Sequence, residues 1–195
     1  MQPQTFVFFG IVGSGKGTQV KLLQEFLKSR GRECVYIGTG EIFRKLMESG
    51  SENAQVLKQM VTAGKLIPDS DTNKLVADAV KSQFSQDTHL LFDGYPRTVS
   101  QSQFFASLME SLERKDIKII YLELSKEEAM KRNLLRGRHD DTPEGLAKRF
   151  DEYVNNVVPA MNYFKNKENY IIYTINGEQT VENVQKDIIS ELGYS

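Results

Sequence analysis

The chain has 195 residues, of which 39% are hydrophobic and 26% charged, and its formal net charge at pH 7 is −1. This length suits one domain with a substantial apolar core, and we do not expect a second full domain. The near-neutral charge excludes the broad basic surface that holds nucleic acid by counterion release. The single cysteine, Cys34, excludes an internal disulfide and a multi-cysteine zinc site, which is typical of a reducing compartment.

The N-terminal segment carries no recognisable targeting signal. Residues 1–5 lack basic charge, and the apolar run Phe6–Phe9 stops at Gly10. Such a run is too short for a signal sequence or for a membrane span. We therefore expect a cytoplasmic protein without a membrane partner.

Five short runs of β-branched and aromatic residues predict strands, because each is bounded by turn residues or charge and is too short for a helix. The runs are Phe6–Phe9, Cys34–Ile37, His89–Phe92, Ile117–Leu124 and Tyr170–Ile175. Longer segments between them have apolar residues three and four positions apart, which predicts helices. Strands that alternate with helices of crossover length predict an α/β fold, with a five-stranded parallel sheet flanked by helices.

Two helix starts are signalled directly by local sequence. Ser125 and Glu128 have the spacing of a capping box, in which a side-chain oxygen and a backbone N–H pair across one turn. Thr142 places a cap just before Pro143, which suits the first turn of a helix. We therefore expect helices to begin after Ser125 and after Thr142.

Two segments do not follow the alternation of strands and helices. Between the second and third strands there are about three helical segments and no strand, which predicts a helical insertion at residues 38–68 over one end of the sheet. Residues 137–141 form a short charged break between two helices. The remaining ranges, 1–37, 69–136 and 142–195, are predicted to form the core of a single domain that spans the whole chain.

The segment Gly10–Thr18 has the spacing of a phosphate-binding loop. It reads Gly-Ile-Val-Gly-Ser-Gly-Lys-Gly-Thr, follows a predicted strand and opens a predicted helix, which is the context this motif requires. Glycines let backbone N–H groups turn toward phosphate oxygens, the helix N-terminus adds a partial positive charge, and Lys16 adds a full one. The sequence therefore predicts a site for the phosphates of a nucleoside triphosphate.

The metal ligand of this motif is displaced. Gly17 follows Lys16, where the usual motif has the Ser or Thr that binds Mg²⁺. Asp93 ends the third predicted strand, at the sheet edge where the phosphate-binding loop also lies. We expect Asp93 to hold Mg²⁺ through water, with Thr18 as a second candidate ligand. The alternative role for Asp93 is to cap the turn at Gly94.

Further motifs follow in a fixed order along the chain. They are Gly10–Gln19, Thr39–Arg44, Gly64–Ile67, Asp93–Thr98 with Gln101, and the charged series Arg132, Arg136, Arg138, Asp140, Asp141 and Arg149. Together they resemble the nucleoside monophosphate kinases, and most closely the adenylate kinases, over nearly the whole chain. The resemblance implies a single-domain P-loop kinase that transfers a phosphoryl group reversibly from ATP to AMP, giving two ADP, with Mg²⁺.

The resemblance implies that ATP binds around the phosphate-binding loop. Arg132 and Arg136 lie four positions apart on one predicted helix face, so both side chains can reach the same ligand. By similarity, Arg132 stacks on the ATP adenine and Arg136 contacts the phosphates, although each charge taken alone also fits a solvated helix face. The implied ATP-binding residues are Gly13, Ser14, Gly15, Lys16, Gly17, Thr18, Arg132, Arg136 and Gln179.

The resemblance also implies a separate site for AMP, in which Arg44 and Arg97 grip the phosphate as planar, bidentate donors. The implied AMP-binding residues are Thr39, Gly40, Arg44, Lys65, Leu66, Ile67, Gly94, Tyr95, Arg97, Gln101, Arg138 and Arg149. The residues implied to act on the transferred phosphoryl group are Lys16, Arg97, Arg136, Arg138 and Arg149.

Thr39 and Gln101 occupy the positions that read the AMP base in adenylate kinases. Kinases of UMP and CMP typically have Ala at the first position and read the base with Asn. A Gln side chain offers a donor and an acceptor together, as a purine edge with N6–H₂ and a ring nitrogen requires. The alternative for Gln101 is an exposed polar residue in the first turn of a helix.

The chain departs from the family pattern in its lid. In adenylate kinases the segment after the counterpart of Arg136 is a long lid, sometimes carrying zinc, or a loop of intermediate length. Here Gly137 alone separates Arg136 from Arg138, so the lid is reduced to the loop 137–141 and we expect no zinc. A second departure is Val12, where the family usually has proline.

Several alternatives stay open from the sequence. The rival within the enzyme class is a broader monophosphate kinase that accepts CMP, UMP or GMP. The rivals from other classes are a P-loop ATPase that needs no acceptor and a regulatory nucleotide-binding module. The choice between ATP and GTP as donor is not decided, and the continuous one-domain match favours a monomer.

Overall fold

The computed structural model describes residues 2–49, 67–137 and 142–194. Five strands in these ranges form one sheet: β1 (Thr5–Gly10), β2 (Cys34–Gly38), β3 (His89–Asp93), β4 (Ile117–Glu123) and β5 (Tyr170–Asn176). All neighbouring strands run parallel, in the order β2-β3-β1-β4-β5, so the strand that precedes the phosphate-binding loop lies in the middle. The predicted five-stranded parallel sheet is confirmed, with strand bounds that differ by one residue at most at either end.

Helices connect and cover the strands. The described helices are α1 (Lys16–Ser29), α2 (Thr39–Glu48), α3 (Asp69–Lys81), α4 (Val99–Ser111), α5 (Lys126–Arg136), α6 (Pro143–Glu152), α7 (Val158–Asn162) and α8 (Val181–Glu191), with a π-helical turn at Tyr153–Val157 between α6 and α7. Ser125 Oγ accepts from the N–H of Glu128 at 3.3 Å, and Thr142 Oγ1 accepts from the N–H of Gly145 at 3.1 Å. Both predicted helix starts are confirmed.

The central strand β1 is buried along its whole length, which explains its unbroken apolar sequence. Val7 lies on one face of the sheet and packs in the same cluster as Phe105 of α4. Phe6 lies on the opposite face, in the cluster that contains Leu23 of α1 and Ile188 of α8. The fold is thus a three-layer arrangement with apolar packing on both faces of the sheet, so the polar functional groups fall at its edges and in its loops.

Parts of the predicted insertion and lid, residues 50–66 and 138–141, lie outside the described residues. The first part of the insertion is helical in α2, and α3 begins directly after the predicted insertion, at Asp69. The division of the chain into core, insertion and lid stays a prediction. In the portion of the chain that is described, no helix is long and apolar enough to cross a membrane.

His89 is 1% exposed at the start of β3. Its Nδ1 accepts from the backbone N–H of Gln4 at 3.1 Å, and its ring stacks against Phe6. The pKa of His89 is lowered from 6.5 to about 4, mainly by burial and also by the positive charges of Arg32 and Arg114. The neutral imidazole is therefore the form that the fold accepts.

Lowering the pH from about 6.5 toward 4 should reduce the free energy of unfolding through His89. In this window the unfolded chain binds a proton at this histidine and the folded chain does not, so stability falls as the pH falls. One such proton corresponds to about 1.4 kcal/mol per pH unit at most. Urea unfolding at several pH values measures the slope, which His89→Gln should make shallower; equal slopes for the two proteins would contradict this assignment.

Candidate active site

The phosphate-binding loop takes the conformation that its glycines permit. Gly13 and Gly15 have φ angles of 89° and 90°, in the left-handed region that side chains with a Cβ rarely adopt. A Cβ on Gly13 would also lie 3.1 Å from the carbonyl oxygen of Ala129 in α5. The loop then passes directly into α1, whose first residue is Lys16, so free N–H groups and the positive helix end face the same space.

Lys16 is folded back over this loop. Its Nζ donates to the carbonyl oxygens of Gly10 at 2.5 Å and Ile11 at 3.0 Å, and lies 3.4 Å from Ser14 Oγ. The pKa of Lys16 is lowered from 10.5 to about 8, mainly by burial; the carboxylate of Asp93 acts in the opposite direction, and the guanidinium groups of Arg97 and Arg136 also lower the pKa. An anion in this space would raise the pKa of Lys16 again, because an opposite charge nearby favours the ammonium form.

The first of two adjoining cavities has a volume of about 690 Å³ and lies over the phosphate-binding loop. It is lined by loop residues Gly13, Gly15, Lys16, Gly17 and Thr18, by the arginines Arg132 and Arg136 of α5, and by residues of the neighbouring strands and helices that include Tyr36, Glu41 and Asp93. Arg132 donates from Nε to Glu128 Oε1 at 2.8 Å, which fixes the direction of its guanidinium group. The cavity therefore combines backbone donors with full positive charges, as a polyphosphate site requires.

The second cavity, of about 380 Å³, lies on the side of α6 and the π-helical turn. Arg149, Glu152, Tyr153 and Val157 line it from these elements. The residues that line both cavities are Val12, Lys16, Gly40, Arg44, Gly94 and Arg97. Arg97 is oriented by a hydrogen bond from its Nε to the carbonyl oxygen of Gly94 at 2.7 Å. Two anionic ligands, one in each cavity, would thus face the same shared cations.

Several predicted site residues do not line either cavity. Ser14, Thr39, Tyr95 and Gln101 are buried, with at most 6% of each residue exposed. Thr39 Oγ1 donates to the carbonyl oxygen of Gly94 at 2.9 Å, so it supports the cavity wall from behind. The alternative of an exposed Gln101 is wrong, because the residue is buried and its side-chain amide is bonded to the backbone N–H of Arg97 and to the carboxylate of Asp69.

Gln179 lies apart from the cavities as well. Its Nε2 donates to Asp187 Oδ2 at 2.7 Å and to the carbonyl oxygen of Asn176 at 3.1 Å, which ties the end of β5 to α8. Ile67 is half-buried and does not line either cavity. Lys65, Leu66 and Arg138 lie outside the described residues. The predicted roles of these residues in nucleotide binding stay predictions.

Comparison with known proteins identifies the family of the chain. The sequence profile of a family described as adenylate kinase matches residues 8–169. The adenylate kinase of Oenococcus oeni is 35% identical over 179 residues, which cover 91% of this chain and 93% of the relative. Adenylate kinase 1 of Nostoc sp. is 30% identical and covers 96% of this chain and 97% of the relative, and the adenylate kinase of Corynebacterium aurimucosum is 32% identical, with 96% and 98% covered. The chain belongs to the adenylate kinase family.

Two residues that sequence reasoning missed complete the site of this adenylate kinase family member. Tyr36 of β2 donates from its hydroxyl to Asp93 Oδ2 at 3.2 Å. Strand register places Gly38 beside Asp93, so the side chain two positions earlier on the same face of β2 reaches the carboxylate. Burial, followed by the negative charge of Asp93, raises the pKa of Tyr36 well above its usual value, so it stays a donor at neutral pH. The only indication of this contact in the sequence is the alternation of side chains along a strand, which places Tyr36 and residue 38 on the same face of β2.

Asn133 is the second missed residue and is fully buried in α5. Its Nδ2 donates to the carbonyl oxygens of Val12 at 3.0 Å and Ala129 at 2.6 Å. Its Oδ1 accepts from Arg136 Nη2 at 2.6 Å. One amide therefore joins the phosphate-binding loop, the helix that carries two cavity arginines, and one of those arginines. In the sequence, the only indication of this role is that Asn133 is a polar residue four positions after Ala129, on the face of α5 that is buried.

Asn133→Ala should raise the KM for ATP by about tenfold while changing the KM for AMP little, because the loop carbonyl and Arg136 lose a shared anchor. The empty volume and lost hydrogen bonds should also lower the free energy of unfolding by about 2 kcal/mol. The matched control is Asn183→Ala, which changes an exposed asparagine of α8. Steady-state kinetics with each nucleotide varied in turn, together with urea unfolding, measure both effects. Equal changes in the two KM values would contradict the assignment.

Proposed function

We propose that this chain catalyses the reversible transfer of a phosphoryl group from ATP to AMP, giving two ADP. The observation that carries the proposal is the pair of adjoining cavities that share Lys16, Arg44 and Arg97. An ATPase with water as acceptor requires one cradle for phosphates and no second set of phosphate-binding arginines. Membership of the adenylate kinase family supports the same choice.

The charges that line the cavities suit two nucleotides. Their cationic residues are Lys16, Lys21, Arg44, Arg97, Arg132, Arg136 and Arg149, and their acidic residues are Glu41, Asp93 and Glu152. The whole chain has a net charge of −1, so positive charge is concentrated here rather than spread over the surface. Two highly anionic nucleotides repel each other strongly, and this local excess of cations offsets that repulsion.

The transfer needs no general base from the protein. The attacking group is an oxygen of the AMP phosphate, which is largely ionised near neutral pH because its second pKa is about 6. Arg44 and Arg97 orient this phosphate with planar, paired N–H groups, and Arg149 approaches from the side of the second cavity. Lys16 and Arg136 draw the triphosphate against the loop. Positioning and charge neutralisation are thus the catalytic work.

Magnesium fits the residues beside the loop. A Cβ on Gly17 would stand 3.4 Å from Asp93 Oδ2, so this carboxylate faces the loop where the usual hydroxyl ligand is missing. In the described ranges no cluster of three His, Cys, Asp or Glu residues exists, which suits an ion that keeps most of its waters. Asp93 would hold Mg²⁺ through water, with Thr18 as second ligand, and the ion would neutralise charge on the transferred phosphates.

The test is ADP formation from ATP and Mg²⁺ with AMP, CMP, UMP, GMP or no acceptor. We expect AMP to be the only one of these acceptors that supports rapid ADP formation, with two ADP formed for each AMP consumed. ATP consumption at the same rate without an acceptor would contradict the kinase assignment, and a preference for CMP or UMP would contradict the adenine assignment.

We further propose that the enzyme acts as a monomer in the cytoplasm. Sedimentation measures the oligomeric state, and cell fractionation measures the location.

A further inference from the structure

Two hydrogen bonds fix which way round the side-chain amide of Gln101 lies. Its Oε1 accepts from the backbone N–H of Arg97 at 2.8 Å, and its Nε2 donates to Asp69 Oδ1 at 2.7 Å. A backbone N–H can only donate and a carboxylate can only accept. Turning the amide by 180° would set donor against donor and acceptor against acceptor. The chemistry of the two partners therefore determines the orientation of the amide.

Asp69 is itself held in place. Its second oxygen, Oδ2, accepts from the hydroxyl of Thr98 at 2.6 Å. Thr98 is the N-cap of α4, and its Oγ1 accepts from the backbone N–H of Gln101 at 3.1 Å. Asp69 begins α3, so the carboxylate links the first turns of two helices and cannot turn away without breaking both contacts. Gln101 is only 6% exposed, so water cannot readily replace a lost partner.

The amide still has hydrogen-bonding capacity for a ligand. A carboxamide has two N–H groups and two acceptor lone pairs, and the protein uses one of each. A base that meets Gln101 therefore finds one donor and one acceptor in a fixed order. Adenine presents a donor at its 6-position and an acceptor at N1, whereas a 6-oxopurine presents an acceptor and then a donor. An amide that can turn freely can form both hydrogen bonds with either base, whereas a fixed amide can form both with only one of them.

We propose that Asp69 determines base specificity at the acceptor site. By fixing the amide of Gln101, it makes the site accept a 6-aminopurine monophosphate and reject a 6-oxopurine monophosphate. The inference rests on the proposed function and on the family resemblance, which implies that Gln101, although it lines neither described cavity, reads the AMP base. Asp69 touches no substrate in this scheme and acts through Gln101, so it is a positioning residue.

The test compares kcat/KM for AMP and for inosine monophosphate (IMP), which carries a 6-oxo group and has no 2-amino group. Asp69→Asn replaces an obligate acceptor by a side chain that donates as well as accepts, so a turned amide regains one of its two partners. We expect the ratio of the AMP value to the IMP value to fall about tenfold or more. Asp71→Asn is the matched control, since it removes another first-turn carboxylate of α3 that is exposed; its ratio should equal that of the wild type.

A second arm separates positioning from a general loss of structure. Gln101→Ala should abolish most of the preference, and adding Asp69→Asn to it should leave the ratio unchanged, because no amide remains to be fixed. Melting curves check folding, and Asp69→Ser, whose hydroxyl also donates and accepts, replaces Asp69→Asn if that variant does not fold.

An unchanged ratio in the folded Asp69 variant would overturn the inference, as would an equal fall in the Gln101→Ala background. A wild type that forms no ADP from ATP and AMP would instead overturn the proposed function.

Discussion

Arg97→Ala should lower AMP-dependent ADP formation by about 10³-fold or more, the range in which arginines that stabilise phosphoryl transfer act. Arg97 lines both cavities, and its hydrogen bond to the carbonyl oxygen of Gly94 directs its guanidinium group between them. Because the residue is exposed, its removal should change the fold and the binding of ATP little. Arg97→Lys should recover only a small part of the rate, since an ammonium group keeps the charge but loses the planar pair of donors.

The measurements for this variant are the initial rate of ADP formation, ATP affinity by calorimetry, and thermal melting. The control is Arg32→Ala, which removes an exposed arginine in the turn between α1 and β2 and should leave the rate at the wild-type value. An undiminished rate in Arg97→Ala would refute the role, and so would a loss of activity matched by a loss of ATP binding.

Lys16→Met should greatly slow transfer and yet leave the protein at least as stable as the wild type at pH 7. The Nζ group supplies the full charge at the phosphate-binding loop, so its loss should cost about 10³-fold in kcat. Burial disfavours the ammonium form, which is why the pKa of Lys16 is lowered to about 8. At pH 7 the lysine is protonated in the folded and unfolded states. The free energy of unfolding is therefore lowered by the full cost of burying the charge.

The pH dependence of stability provides a separate check on Lys16. Between about pH 8 and 10.5 the unfolded chain holds a proton at this lysine that the folded chain has released, so the wild type gains stability as the pH rises. Urea unfolding of both proteins should therefore show any advantage of Lys16→Met shrinking across this window. A variant that is much less stable at pH 7, or a gap that does not change with pH, would contradict the prediction.

Local sequence was sufficient to predict those features whose residues lie within one helical turn or one loop of each other. The caps at Ser125 and Thr142 bond three residues ahead, and the glycines of the phosphate-binding loop act on their own backbone. The parallel sheet followed from apolar strands that alternate with helices of sufficient length. The cations on either side of Lys16 were found through motifs that the chain shares with its family rather than through any local pattern.

The contacts that sequence reasoning did not find join residues far apart in the chain. Asn133 meets Val12 across 121 positions, Tyr36 meets Asp93 across 57, and Gln101 meets Asp69 across 32. Such hydrogen bonds depend on strand register and on how helices pack, which no local period encodes. The sequence therefore pointed to the binding residues themselves and not to the buried polar groups that position them.

The close contact between the Tyr36 ring and Gly38 constrains the order in which these two residues can be substituted during evolution. A Cβ at residue 38 would lie 2.6 Å from Cζ and 2.7 Å from Cε1 of the Tyr36 ring, closer than real Cβ atoms approach. A substitution of Gly38 made first would therefore displace the ring and break its contact with Asp93. A smaller residue at position 36 made first would open the space. Lineages that exchange both residues are thus expected to pass through the change at 36 before the change at 38.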